Sequence, residues 1–135
     1  MKISITAEKT IAEFQEDLMA LFPSLKIEFF TKAYELGTTL GSEDMVYNRI
    51  KIMGEISKNH IIKQSENLFD FTPDTTVRAF QEALWQQYGL SVQLFRNSLG
   101  TFVETTSTDT WTLAEQEHKG SESGSVESAV LYMKQ

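Results

Sequence analysis

The sequence predicts an α+β protein made of two related β-α-β(-β) units packed together, with helices on a mixed sheet. Two observations carry this. The first is an internal duplication. Thr6 to Phe30 reads TAEKTIAEFQEDLMALFPSLKIEFF, and Thr72 to Phe95 reads TPDTTVRAFQEALWQQYGLSVQLF. Thr6 aligns with Thr72, Thr10 with Thr76, Phe14-Gln15-Glu16 with Phe80-Gln81-Glu82, and Phe22 with Tyr88. After a one-residue slip at Ser24, Leu25 aligns with Leu90, Ile27 with Val92 and Phe30 with Phe95. The second is a change of apolar period inside each copy, from helical spacing to strand-like alternation. The organisation that follows is a first unit with a helical insertion over 1–58, a second unit over 59–118, and a linker with a C-terminal tail over 119–135.

Each element has a local reason. Ile3 and Ile5 alternate with polar residues, so Lys2 to Thr6 reads as a strand. Thr10 and Glu13 form a T-x-x-E capping box that opens a helix. Ile11, Phe14, Leu18, Leu21 and Phe22 make its apolar stripe, and Pro23 ends it. Leu25 to Phe30 alternates again. Asp44 to Ile56 is predicted as a helix inserted after this unit. His60 to Lys63 and Leu68 to Phe71 read as strands joined by a turn. Pro73-Asp74 is predicted to open the second helix, with Val77, Phe80, Leu84 and Tyr88 as its stripe. Gly89 supplies a left-handed residue to close it. Leu90 to Phe95 and Thr101 to Thr106 read as strands around the turn Asn97 to Gly100. Thr110 to Gln116 reads as a short helical turn, and KGSESGS from Lys119 to Ser125 as a flexible linker. The apolar segment Val126 to Met133 is expected to dock on a sheet edge of its own or a neighbouring molecule.

The second half resembles the ubiquitin-like β-grasp superfamily. The resemblance rests on Asp74-Thr75-Thr76-Val77 at the helix start and on D-x-x-T-L-x-E at Asp109, Thr112, Leu113 and Glu115, and it covers roughly residues 60–117. It implies a β-grasp-like fold in which residues 60–71 supply the first two strands, and a binding or scaffold role. There is no C-terminal Gly-Gly pair, so the resemblance does not imply conjugation to other proteins. A ferredoxin-like arrangement, β-α-β followed by β-α-β with helices on one face, is the other architecture this order of elements allows.

Composition narrows function. The net charge is −7, and residues 67–118 hold seven acidic side chains against two basic ones. Such a field repels nucleic-acid phosphates and anionic membrane surfaces and suits a basic protein partner. It also serves simply to keep a protein soluble. The chain has no cysteine, which removes disulfides and thiolate metal sites and leans toward the cytoplasm. No apolar run reaches the roughly 18 residues that a membrane span needs.

Catalytic candidates are few. His60 and His118 are the only histidines. His118 with Glu115 makes two metal ligands without a third. Glu16-Asp17, Glu43-Asp44 and Glu115/Glu117 are carboxylate pairs, but Glu16 and Glu82 fall off the helix stripes and read as solvated surface. Gly37 to Gly41 lacks the G-K-[ST] ending of a phosphate loop. No catalytic residue, cofactor or metal is therefore assigned. The repeated Gln15 and Gln81 are read as amides that bond to backbone. The candidate protein-binding residues are Trp85, Trp111, Phe102 and Glu104. Tryptophans are enriched at binding hot spots, though core packing is the competing use of both. Thr101 to Thr110 has the character of an edge strand open to β-augmentation, with Glu104 as its guarding charge. The resulting expectation is a non-enzymatic interaction module or scaffold, with a homodimer through an edge strand or the tail as one form of partnership. The alternatives are a small enzyme or small-molecule binder with a pocket between the units, and an inhibitor or immunity-type protein acting on a basic partner.

Overall fold

The computed structural model describes residues 1–58 and 67–123. Its elements in order are β1 (Lys2–Ile5), α1 (Ile11–Leu21), β2 (Leu25–Phe30), α2 (Met53–Ile56), β3 (Asn67–Asp70), α3 (Val77–Tyr88), β4 (Ser91–Ser98), β5 (Thr101–Glu104) and α4 (Leu113–Ser123). The chain is α+β, with helices packed on sheets, as the sequence predicts. Among the described residues the strands form two antiparallel sheets rather than one mixed sheet, one of β1 and β3 and one ordered β2-β4-β5.

The two units pair strand to equivalent strand. Positions up to the end of the helix repeat at a spacing of 66 residues, as for Phe14 and Phe80, and later ones at 65, as for Ile27 and Val92. In the first sheet Ile3 lies opposite Phe69, residues 66 apart. In the second, Glu28 lies opposite Gln93, residues 65 apart. Both pairs are self-equivalent, so one pseudo-twofold axis runs through the two of them. A strand-helix-strand unit closed on itself would hold its two strands parallel in one sheet. Here β1 and β2 sit in different sheets, and each finds its ladder partner strand in the other unit.

The helices start as their sequences dictate. Thr10 caps α1 and forms the full capping box with Glu13. Thr76, not Pro73-Asp74, caps α3 and accepts from Ala79 N. Each helix leaves its first amides without intrahelical partners, and a returning segment accepts them. Ile11 N donates to Lys51 O at 3.0 Å and Ala12 N to Arg49 O at 2.9 Å. In the second unit Val77 N donates to Trp111 O at 3.0 Å and Arg78 N to Asp109 O at 2.8 Å. The return bonds match as well: Met53 N to Lys9 O beside Leu113 N to Thr75 O, and Gly54 N to Ala7 O beside Ala114 N to Pro73 O. The duplication thus extends to residues 48–56 and 108–116, at a spacing of 60.

This overturns the helix expected over 44–56. That stretch holds a 3-10 turn at Ser42–Asp44, a bridge of Met45 to Phe30, and only the four-residue α2. α4 runs on to Ser123 through residues expected to be a flexible linker. The strand expected over 60–63 and the tail over 126–133 lie outside the described residues.

The core lies between sheets and helices. Ile11, Phe14, Leu18, Val77, Phe80, Leu84, Ile27, Val92 and Leu94 are all fully buried. Leu21, expected in the α1 stripe, is 37% exposed, because it falls at the edge of the stripe on the last turn. Gly89 closes α3 with φ 65°, as predicted, and Leu99-Gly100 turn between β4 and β5 with φ 53° and 87°.

Candidate functional site

Residues directly opposite in a ladder share a face of the sheet. Lys26, Phe95 and Glu104 make one row across β2, β4 and β5. Asn97 and Phe102 make the next row on the same face. Lys26 reaches across them, its Nζ 5.5 Å from the Phe102 ring centre, and pairs with Glu28 at 2.9 Å. The other half of this face is covered. The segment after β2 folds over it, with Leu40 N donating to Gln93 Oε1 at 3.3 Å and Thr39 Oγ1 donating to Thr106 Oγ1 at 2.7 Å. Leu40, Gln93 and Phe30 are buried as a result. The described residues leave open the end that carries Lys26, Phe95, Asn97, Phe102 and Glu104. Phe102 is 37% exposed, and among the described residues β5 is the outermost strand of its sheet.

The two tryptophans belong to the opposite side. Trp111 is half-buried and stacks on Arg96, whose guanidinium carbon lies 5.5 Å from the ring centre. Arg96 also donates to Gln116 Oε1 at 2.7 Å, which holds it beneath α4. Trp85 is half-buried on α3, the helix whose stripe packs on β4. The structure therefore brings Phe102 and Glu104 together on one face and places Trp85 and Trp111 on elements covering the other. The expected edge strand over 101–110 is shorter, because 106–108 is a 3-10 turn.

The repeated glutamines act on backbone, as expected, but at strand edges rather than in loops. Gln15 Nε2 donates to Ile27 O at 2.8 Å, and Gln81 Oε1 accepts from Leu94 N at 2.8 Å. Arg49 donates to Gln15 Oε1 at 2.9 Å.

The motif D-x-x-T-L-x-E resolves into separate tasks. Asp109, 4% exposed, takes a two-pronged bond from Arg78 at 3.0 and 3.2 Å, and this lifts the Arg78 pKa above its ordinary value. Thr112 accepts from Glu115 N at 3.1 Å while Glu115 Oε1 accepts from Thr112 N at 3.0 Å, a second capping box. Leu113 is fully buried. The bond from the Thr112 backbone holds the Glu115 carboxyl below the usual range, and the Thr10 backbone does the same for Glu13. Burial pushes the Tyr34 and Tyr88 hydroxyls up.

A cleft of about 400 Å³ is lined by Ser4, Thr6, Glu8, Lys9, Glu13, Glu16 and Asp17. Sequence reasoning passed over Lys9, which is only 8% exposed. Its ammonium donates to Ser4 O at 2.6 Å, Ser4 Oγ at 3.2 Å and Asp17 Oδ2 at 2.5 Å. An ammonium has three donors, so all of them are engaged and the residue braces β1 against α1. A lysine immediately before the Thr10 cap gave no prior hint of burial. Glu16 is exposed as expected, whereas Glu82 is half-buried and accepts from Gln86. A second cleft of about 380 Å³ lies along α4, lined by Trp111, Ala114, Glu115, His118 and Lys119. Each of these clefts draws its walls from a single unit. His118 Nε2 lies 3.0 Å from Glu122, and His60 falls outside the described residues. Among the described residues no three His, Asp or Glu side chains gather as metal ligands, and no helix is long and apolar enough to cross a membrane.

No protein-family model, curated protein or solved structure matches the chain.

Proposed function

We propose that the chain is a non-enzymatic protein-interaction module that engages its partner through the open end of the β2-β4-β5 face and the β5 edge. The observation that carries this reading is the placement of Phe102, a half-open aromatic on the outermost strand among the described residues, flanked by Lys26 and Glu104. An added strand would take main-chain hydrogen bonds from β5 while Phe102 offers an apolar anchor. The resemblance to ubiquitin-like domains supports a binding role, since its motif residues Thr76, Asp109, Thr112 and Glu115 brace helix starts. The net charge of −7 favours a basic protein over nucleic acid or an anionic membrane.

Capture from an extract of the source cells tests it. Immobilised wild type is compared with Phe102→Asp and with Ile50→Asp, a control at a residue 76% exposed elsewhere. The captured protein should be lost with Phe102→Asp, kept with Ile50→Asp, and partly released by high salt. An unchanged capture by a Phe102→Asp variant of native circular dichroism overturns the reading.

A further inference from the structure

The β1–β3 and β2–β4 ladders both run between the two units. Other contacts cross in the same way. Met1 and Phe71 exchange backbone bonds, Asn97 N donates to Ser24 O, Lys58 N donates to Gly89 O, and Ser57 Oγ donates to Tyr88 O. Ser24 N is held by the Glu117 carboxylate at 2.8 Å. The bonds from each helix start to its returning segment, by contrast, stay inside one unit. Each unit therefore keeps its own helix cap and, apart from the β4–β5 hairpin and the Phe30–Met45 bridge, pairs its strands with those of the other. The pairing is self-complementary about the axis through Ile3–Phe69 and Glu28–Gln93, the relation an isologous dimer uses.

We propose that this interface is exchangeable, and that the partner it fits is a second copy of the chain. Residues 1–58 of one molecule pair with 67–123 of another, and the reverse, giving a closed dimer. Every inter-unit contact named above is kept in the exchange. The eight residues 59–66 that join the units span at most about 29 Å when extended. Within one molecule the linked unit presents itself at an effective concentration of the order of millimolar. The monomer therefore prevails when folding occurs at micromolar protein. The dimer gains as folding concentration approaches millimolar. Once formed it returns slowly, because release requires opening the shared core.

The chain contains no cysteine, so engineered thiols report cleanly. Met1 and Phe71 form a hydrogen-bonded pair, which makes the adjacent Lys2–Asp70 pair non-hydrogen-bonded. Such residues lie about 4.5 Å apart at Cα, within disulfide reach. Both are exposed. Lys2→Cys chains and Asp70→Cys chains are unfolded, mixed and refolded together at about 10 μM and about 1 mM, then oxidised. The Lys2→Cys/Asp70→Cys double variant, refolded dilute, should close its bond within one chain and confirms that the register forms. The ratio of disulfide-linked heterodimer to monomer should rise steeply between the two concentrations by mass action, by tens of fold and at most about 100-fold, the limit reached when dimer stays the minor species. Mixing the single variants after folding should give no heterodimer. The proposal is overturned if the double variant closes its bond while the single variants stay uncoupled at 1 mM. It is equally overturned if mixing after folding gives as much heterodimer as refolding together, because ordinary surface association would then explain the product.

Discussion

The two units solve one problem with different side chains. Both must hold a returning segment against the start of a helix. In the second, Thr112 caps α4 with Glu115, and Asp109 is clamped by Arg78. In the first, Ile52 occupies the cap position and makes no side-chain cap bond, and Arg49 binds Gln15 instead. The consequence shows in length: α2 stops after four residues, while α4 continues for eleven. The backbone bonds to the helix start are the same in both. The shared architecture thus resides in main-chain geometry, and side chains decide how far each helix grows from it.

The two units fill equivalent core positions with different side chains. On the strand before the helix the second unit has Phe69 and Phe71 where the first has Ile3 and Ile5. Phe80 meets both rings edge-on, with centroids 5.2 Å away. Phe14 meets Phe29 at 5.6 Å instead, at the position where the second unit has Leu94. Truncation offers the most severe test of equivalence. Phe80→Ala and Phe14→Ala should each cost about 3–5 kcal/mol, with Phe80→Ala the larger since it abandons two ring contacts. Denaturant unfolding measures both. A loss below about 1 kcal/mol for either would mean that its ring is not in the core.

A smaller effect addresses the caps. Thr112→Ala should cost about 1 kcal/mol and shorten α4. Ile52→Thr should supply the missing cap in the first unit and lengthen α2, seen as added helical signal and as amide protection beyond Ile56. If Ile52→Thr leaves α2 unchanged, the missing hydroxyl is not what limits it.

The smallest effect is a pH dependence common to both units. Glu13 and Glu115 have carboxyl pKa values lowered by the backbone N–H of Thr10 and Thr112. Folding favours their ionised forms. That contribution is complete above the unfolded value, about 4.3, and is lost as pH falls through the lower folded value. Replacing both by Gln should flatten the acid limb of a stability–pH profile below about pH 4.3. An unaltered limb would show that the boxes do not couple to folding.

Much of the fold was legible because side chains wrote it. The FQE repeat, the Thr10 cap, the Val77-Phe80-Leu84-Tyr88 stripe and Gly89 each require particular residue types. The pairing of β1 with β3 and of β2 with β4 was not legible, since a ladder is made of backbone. The second pair of equivalent segments escaped for the same reason. Between 48–56 and 108–116 only Glu55 and Glu115 are identical, while the bonds that define the match come from amides and carbonyls. At the candidate surface, Phe102 and Glu104 could be expected on an edge, and they share a face. Trp85 and Trp111 were singled out by residue type, which carries no information about which side of a sheet a helix will cover.

The position where Glu28 faces Gln93 shows what covalent fusion permits. Two identical subunits related by a true symmetry operation must put the same residue on both sides of their axis. Two glutamates there would set like charges directly opposite, which is destabilising. Two glutamines would give up the partner that Lys26 finds in Glu28. A tandem chain escapes this constraint, so one side answers a lysine while the other anchors Leu40. The centre of the molecule is where its halves had most to gain by becoming different.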